Sequence, residues 1–223
     1  IKAIELLHTL GYEVIIPSHL ESGRTWLSKG LVRKAKKIAN QNIELLSSLI
    51  SASTPLIGLE PSAILTFRDE YPDLATNENV AAAQHLAKHS FFIDEFLASE
   101  IQAGNITKDQ FTDQAKSILL HGHCQQKAVS SLSDTVKVLS FPTNFKVDTI
   151  ASGCCGMAGS FGYEKEHYKV SMNIGELVLF PKIRAHHHHC TIAAAGTSCR
   201  HQIKDGTGVQ ALHTVEILHT ALR

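Results

Sequence analysis

The sequence predicts an α/β protein made of two related halves, each a small parallel sheet with its helices and with ligand-binding loops at the strand ends. Three observations carry that prediction. Short apolar runs alternate with longer stretches of helical period along the 223 residues. Glycine- and cysteine-containing turns follow three of those runs directly. The order of strand, turn, long helix and strand also occurs twice.

Each element has its own reason. Ile4, Leu7, His8 and Leu10 space as one helix face, and Gly11 suits its C-terminal stop. Tyr12 to Pro17 reads as a strand, and Ser28 to Leu49 carries a long helical pattern through Leu31, Ala35, Ile38, Ile43 and Leu46. Pro55 to Leu59 is a short buried strand, and Glu60-Pro61-Ser62 turns into a helix from Ile64 to Glu70. Tyr71 to Asn79 is loop-like, and Val80 to Ile101 is mostly helical and joins the halves. Ser117 to His121 is a strand, followed by a helix from Gln126 to Leu139. Phe145 to Ile150 is a strand running into Cys154-Cys155, Tyr163 to Arg184 is helical, and Cys190 to Ala194 is a strand.

The repeat sets Tyr12–Ile16 over Phe145–Thr149. Gly23 then falls on Gly156, Glu21-Ser22 on Cys154-Cys155, and Ser62-Ala63 on Ser198-Cys199 after a three-residue insertion. Residues 1–110 form the first, degenerate half, and residues 111–223 the second, with a thiol at every turn. The chain opens on Ile1 with no Met and a helix already under way, so the first half reads as N-terminally incomplete and the chain as a piece of something longer.

Bulk properties exclude several function classes. Lys and Arg number 21 and Asp and Glu number 21, so no charge excess favours nucleic acid or an anionic membrane. No apolar run is long enough for a membrane span. The five cysteines are an odd count, two are adjacent, and no secretory signal precedes them. That pattern argues for a reducing, cytoplasmic setting rather than a disulfide framework.

The cysteines carry the chemistry. Cys154 and Cys155 stand side by side in Ser152-Gly153-Cys154-Cys155-Gly156-Met157. Adjacent thiols do not readily bond to each other, but both can reach one soft metal centre. Cys124 in His121-Gly122-His123-Cys124 and Cys199 in Thr197-Ser198-Cys199-Arg200-His201 lie in similar turns. In parallel sheets ligands collect at the carboxyl ends of strands, so three strand ends aim four thiols at one crevice. Four such thiols are enough for an iron–sulfur cluster or a zinc ion. Four buried structural cysteines is the plainer alternative, but packing does not call for a Gly-containing turn at all three places. A reversible dithiol is a further alternative.

Histidines and charges surround these turns. His121 and His123 could ligate metal, hydrogen-bond sulfur or carry protons, and His201, two residues after Cys199, is a candidate for supporting a ligand from behind. Arg200 and Lys127 could offset thiolate charge. The tract His186–His189 reads as a solvent-exposed loop and Cys190 as a packing residue. Glu21 and Glu60 read as capping or surface residues. The run Gly153 to Gly162 fits neither a phosphate loop nor a dinucleotide fingerprint.

Three stretches carry a resemblance: Leu120 to Ala128, Ser152 to Tyr168, and Gly196 to Ile203, with Gly58 to Ser62 and Ser28 to Leu31 as first-half signatures. They resemble the CCG, or cysteine-rich, domain family of iron–sulfur oxidoreductases, which also occurs in heterodisulfide reductase. The chain looks most like the C-terminal part of fused FAD-linked oxidases of the D-2-hydroxyacid dehydrogenase type. The resemblance implies an electron-transfer domain with a 4Fe-4S cluster, serving a flavin enzyme that oxidises small 2-hydroxy acids. It further implies FAD and ferredoxin-like domains outside this stretch and a quinone as acceptor, reached at the inner face of a membrane. The pattern departs at three places. Gln202 stands where the family's last cysteine would, Glu21-Ser22 replaces the first-half pair, and Ala63 replaces another cysteine. The resemblance therefore supports one cluster on the second half, held by Cys124, Cys154, Cys155 and Cys199, with no catalytic residue in the chain itself.

Overall fold

A computed structural model describes all residues, 1–223. The chain is α/β and holds two small parallel sheets. It divides into two compact units, one formed by Ile1–Val14 with Leu97–Arg223, the other by Ile15–Phe96. In chain order the elements begin with α1 (Lys2–Thr9), α2 (Arg24–Ser28), α3 (Val32–Leu46), β1 (Leu56–Gly58), α4 (Pro61–Arg68), α5 (Tyr71–Leu74) and α6 (Val80–Lys88). Next come β2 (Ser90–Phe92), α7 (Ile93–Ala103), β3 (Lys116–His121), α8 (Cys124–Val129), α9 (Ser133–Leu139) and β4 (Phe145–Thr149). The last are α10 (Tyr168–Leu177), α11 (Leu179–His186), β5 (Thr191–Ala194), α12 (Thr197–Thr207) and α13 (Thr214–His219).

In the unit Ile15–Phe96, β1 and β2 pair in parallel, Leu56 opposite Ser90. Helices α3, α4 and α6 supply its core through Ile43, Leu46, Leu65 and Leu86, with Tyr71 and Phe92 fully buried among them. Arg68 donates to both Glu95 carboxylate oxygens and to the Ser90 carbonyl, tying α4 to the second strand.

Three expectations fail in the first half, the smallest at Tyr71–Asn79, which is not all loop but opens with the helix α5. Tyr12–Pro17 is not a strand: no strand lies along it, and Ile15 and Ile16 are exposed. A strand needs a neighbour for its N–H and C=O groups, and none lies beside this segment. What holds the chain just beyond it is a side chain. Buried Asn42 accepts from the Leu20 N–H at 2.8 Å and donates to the Glu21 carbonyl at 2.8 Å. Strand β2 lies inside the stretch expected to be helical, because three apolar-flanked residues break no helical period.

In the larger unit the three strands order as β4-β3-β5, all parallel, with Leu119 opposite Asp148 on one side and Ile192 on the other. Leu212 adds a parallel bridge to Ala193 at the far edge. The chain goes from β3 to β4 on one side, then crosses over to β5 on the other. Such a reversal opens a crevice at the carboxyl ends of the strands. The core beneath it gathers Leu119, Ile150, Met157, Leu179, Phe180, Ile183, Ile192 and Ile203, and takes in Cys155 and Cys199. The long helix expected over Tyr163–Arg184 is two helices. Pro181 cannot continue the ladder of α10, so a new helix starts at Leu179 with Pro181 in its first turn.

Candidate metal centre

Because β3, β4 and β5 are parallel, the loops leaving them emerge at one end of the sheet. The β3 loop brings His121, His123 and Cys124; the β4 loop brings Ser152, Cys154 and Cys155; the β5 loop leads into Cys199. All five cysteines carry free thiols. The thiols of Cys124 and Cys154 are hydrogen-bonded, as are those of Cys154 and Cys155, and of Cys155 and Cys199. A ring nitrogen of His121 and the sulfurs of Cys155 and Cys199 lie within 4.8 Å of one another, and all three residues are buried. The four thiols singled out from the sequence therefore form one contiguous group.

Local structure explains each placement. Cys124 is the first residue of α8, where His123 caps the helix by accepting from the Gln125 N–H at 3.2 Å. Cys199 sits in the first turn of the 11-residue α12, where the unpaired N–H groups favour a thiolate. Gly196 at the cap of that helix has no room for a side chain. A Cβ there would stand 2.3 Å from His123 Cδ2 and 3.3 Å from Cys199 Sγ. Gly156 has φ +107°, and its N–H donates to Cys154 Sγ at 3.3 Å.

Protons are shared unequally across the group. The hydrogen bond to Cys154 pushes the Cys124 thiol up, with burial adding to it. Donors from Cys124 and Cys155 hold Cys154 down, against the cost of burial. Cys155 is pushed up by its bonds to Cys154 and Cys199 and by burial. Cys199 is held low by the Cys155 donor and the His121 ring beside it, again against burial. The hydrogen bonds therefore favour the thiolate at Cys154 and Cys199 and the thiol at Cys124 and Cys155. Thiolate is the form that binds metal, and a metal displaces the remaining protons.

The histidines and cations sort clearly. His121 is 1 % exposed. Its Nδ1 lies 2.8 Å from Ser152 Oγ, its buried Nε2 meets no nitrogen or oxygen partner, and the ring is hydrogen-bonded to the Cys199 sulfur. His201 is exposed on α12 and pairs with the Tyr163 hydroxyl at 2.9 Å. Arg200 donates to the Ala194 and Ala195 carbonyls, so it caps β5. Lys127 Nζ donates to the Ser152 and Gly153 carbonyls at 2.7 Å each, fastening the cysteine-pair loop to α8. Sequence reasoning gave no role to Ser152, although it opens the Ser-Gly-Cys-Cys run. Gln202, at the position of the family's last cysteine, is buried and donates to Ser171 O and Oγ at 3.0 and 2.9 Å. It packs the loop rather than adding a thiol.

The remaining candidates lie elsewhere. Cys190 donates to the His186 carbonyl at 3.2 Å, and His186, His188 and His189 are exposed around the end of α11. Glu21 accepts from the Trp26 indole, and Glu60 accepts from the Ser62 hydroxyl at 3.1 Å. No helix is long and apolar enough to cross a membrane.

The donor set fits a thiophilic centre. Cys124, Cys154, Cys155 and Cys199 offer four sulfurs, and the buried His121 ring brings a nitrogen within 4.8 Å of two of them.

Comparison with known proteins points to redox enzymes. The chain is 28 % identical over 225 residues to D-2-hydroxyglutarate dehydrogenase of Haemophilus influenzae, covering 99 % of this chain and 21 % of that one. It is 28 % identical over 219 residues to D-2-hydroxyglutarate dehydrogenase of Escherichia coli, covering 96 % of this chain and 20 % of that one. It is 24 % identical over 221 residues to one of the subunits of the anaerobic glycerol-3-phosphate dehydrogenase of Escherichia coli, covering 98 % of this chain and 54 % of that one. The chain thus spans about a fifth of the length of the D-2-hydroxyglutarate dehydrogenases it matches. No known family profile matches it, and no solved structure does. Its relatives are oxidoreductases, in line with the resemblance carried by the cysteine motifs.

Proposed function

We propose that the chain is an iron–sulfur electron-transfer domain of a FAD-linked oxidoreductase that acts on small 2-hydroxy acids. The gathering of Cys124, Cys154, Cys155 and Cys199 at one sheet end carries this reading. The names of the relatives supply its redox direction. A 4Fe-4S cluster held there would pass single electrons. The chain's own residues would set how it does so: thiolate charge, the Gly156 N–H on Cys154, and burial of Cys155 and Cys199 tune the potential. On this reading FAD and ferredoxin-like domains lie in other parts of the protein or in an associated chain. The electron acceptor is a quinone, and the protein works in the cytoplasm at the inner face of the membrane.

The reading keeps residues 1–110 and 111–223 as two related halves. Its support is a shared element order. Strand β1, helix α4, strand β2 and helix α7 follow the order of β5, α12, the Leu212 bridge and α13, with α5 and α6 inserted between α4 and β2.

Zinc is a second reading, and one observation favours it. Sulfurs in direct hydrogen-bond contact sit near the spacing of ligands on one tetrahedral ion, about 3.7 Å for bonds of 2.3 Å. Such a closed site would lock the larger unit without redox chemistry. Metal and sulfide analysis of anaerobically purified protein separates the two. Brown protein with iron and acid-labile sulfide is expected; colourless protein with one zinc would replace the electron-transfer reading.

The chain by itself is expected to give no turnover of lactate, glycolate or 2-hydroxyglutarate with an artificial acceptor, even with FAD added. Hydride abstraction needs a bound flavin, and the run Gly153–Gly162 fits no dinucleotide fingerprint. Steady turnover by the isolated chain would place a catalytic site where this reading has only a relay.

A further inference from the structure

We infer that His121 binds the metal directly through Nε2, so that the centre has a mixed imidazole–thiolate ligand set rather than four thiolates. This rests on the reading that the cysteine group holds a metal. The β3 strand ends at His121 and places its ring inside the protein. One ring nitrogen is fixed: Nδ1 lies 2.8 Å from Ser152 Oγ in a buried contact. The other, Nε2, is buried and meets no nitrogen or oxygen partner, and the ring contacts the Cys199 sulfur. A metal-bound histidine has this arrangement, with one nitrogen oriented by a polar group and the other turned to the ion. Ser152 is well placed to orient it, because it lies two residues before Cys154 on the loop that Lys127 fastens to α8.

Proximity picks out the other donors. The ring nitrogen of His121 groups with Cys155 and Cys199 within 4.8 Å; Cys154 and Cys124 both lie outside that group, and Cys154 is the nearer along the chain of thiol contacts, next to Cys155. Cys155 is in turn bonded to Cys154. His121, Cys154, Cys155 and Cys199 then make four donors, and Cys124, at the half-buried start of α8, is left to hydrogen-bond to the Cys154 sulfur. Replacing a thiolate with a neutral imidazole removes one negative charge from the centre. The reduction potential of a cluster so held lies above that of an all-thiolate one.

Pulsed EPR of the wild-type chain, reconstituted anaerobically with iron and sulfide and then reduced, reads the ligand without any mutation. A strongly coupled nitrogen is expected, lost in His121→Ala and in His121→Cys. The His121→Cys variant, which restores a thiolate, is expected to keep its iron and to show a lower potential. Cys124→Ser is expected to keep both iron and the nitrogen coupling. A wild-type cluster without nitrogen coupling, or iron lost in Cys124→Ser but kept in His121→Ala, would overturn the ligand assignment and leave the electron-transfer reading standing. If the chain takes up zinc and no iron, the electron-transfer reading falls. X-ray absorption at the zinc edge then decides the ligand by the presence or absence of imidazole scattering. A chain that binds neither metal overturns both.

Discussion

Replacing Cys154 and Cys155 together with Ser is expected to abolish metal binding while the unit Ile15–Phe96 stays folded. A serine hydroxyl is not ionised at neutral pH and is a poor ligand for soft metals. The double change also removes the central links of the thiol chain, since Cys154 touches both Cys124 and Cys155, and Cys155 touches Cys199. Because a preformed metal site does not exist in the unfolded chain, the free energy of metal binding adds to the stability of the fold that holds it. The larger unit should therefore lose most of its metal-dependent stability. The smaller unit contains none of the five cysteines, and its buried Ile43, Leu65, Tyr71, Leu86 and Phe92 are untouched. Iron and zinc analysis, with amide hydrogen exchange across α3 and α6, checks both halves of the expectation. Full metal retention in the double variant would remove the cysteine pair from the centre.

The second-half strands and the position of each thiol turn were legible because the two signals coincide. Apolar runs such as Ile118-Leu119-Leu120 mark buried parallel strands, and parallel strands put all their C-terminal loops at one end. Cysteines just after such runs must then approach one another. What was illegible depends on partners that the local sequence does not contain. Tyr12–Pro17 has strand composition, but no strand lies beside it to pair with. The role of Ser152 requires knowing that β3 and β4 are neighbours, since only then do His121 and Ser152 stand side by side. Likewise Lys127 looks like a surface charge until the loop after β4 is seen to pass over α8. His201, two positions after Cys199, faces outward because positions two apart on a helix point about 200° apart, nearly to opposite sides.

Gly156→Ala is expected to cost both stability and metal, for a reason that lies in the backbone. Gly156 follows the cysteine pair with φ +107°, a conformation that strains any residue with a Cβ. Space is lacking as well. A Cβ there would stand 2.2 Å from the Ser171 carbonyl oxygen and 2.9 Å from Gln202 Nε2. Those are the two partners of a buried hydrogen bond that joins α10 to α12. Neither can yield cheaply: the oxygen belongs to a helix backbone, and Gln202 is 2 % exposed. The strain and the overpacking together cost about 2–6 kcal/mol, a large part of the stability of an ordinary domain. Relief comes most easily by moving the loop, which carries the Gly156 N–H away from Cys154 Sγ and Cys154 away from Cys155's neighbours. The expected result is a lower midpoint in thermal unfolding and weaker metal retention against a chelator. Gly153→Ala serves as the control, since a Cβ at Gly153 meets nothing within 4 Å. Equal behaviour of the two variants would mean that the backbone at Gly156 does not hold the cysteine pair in place.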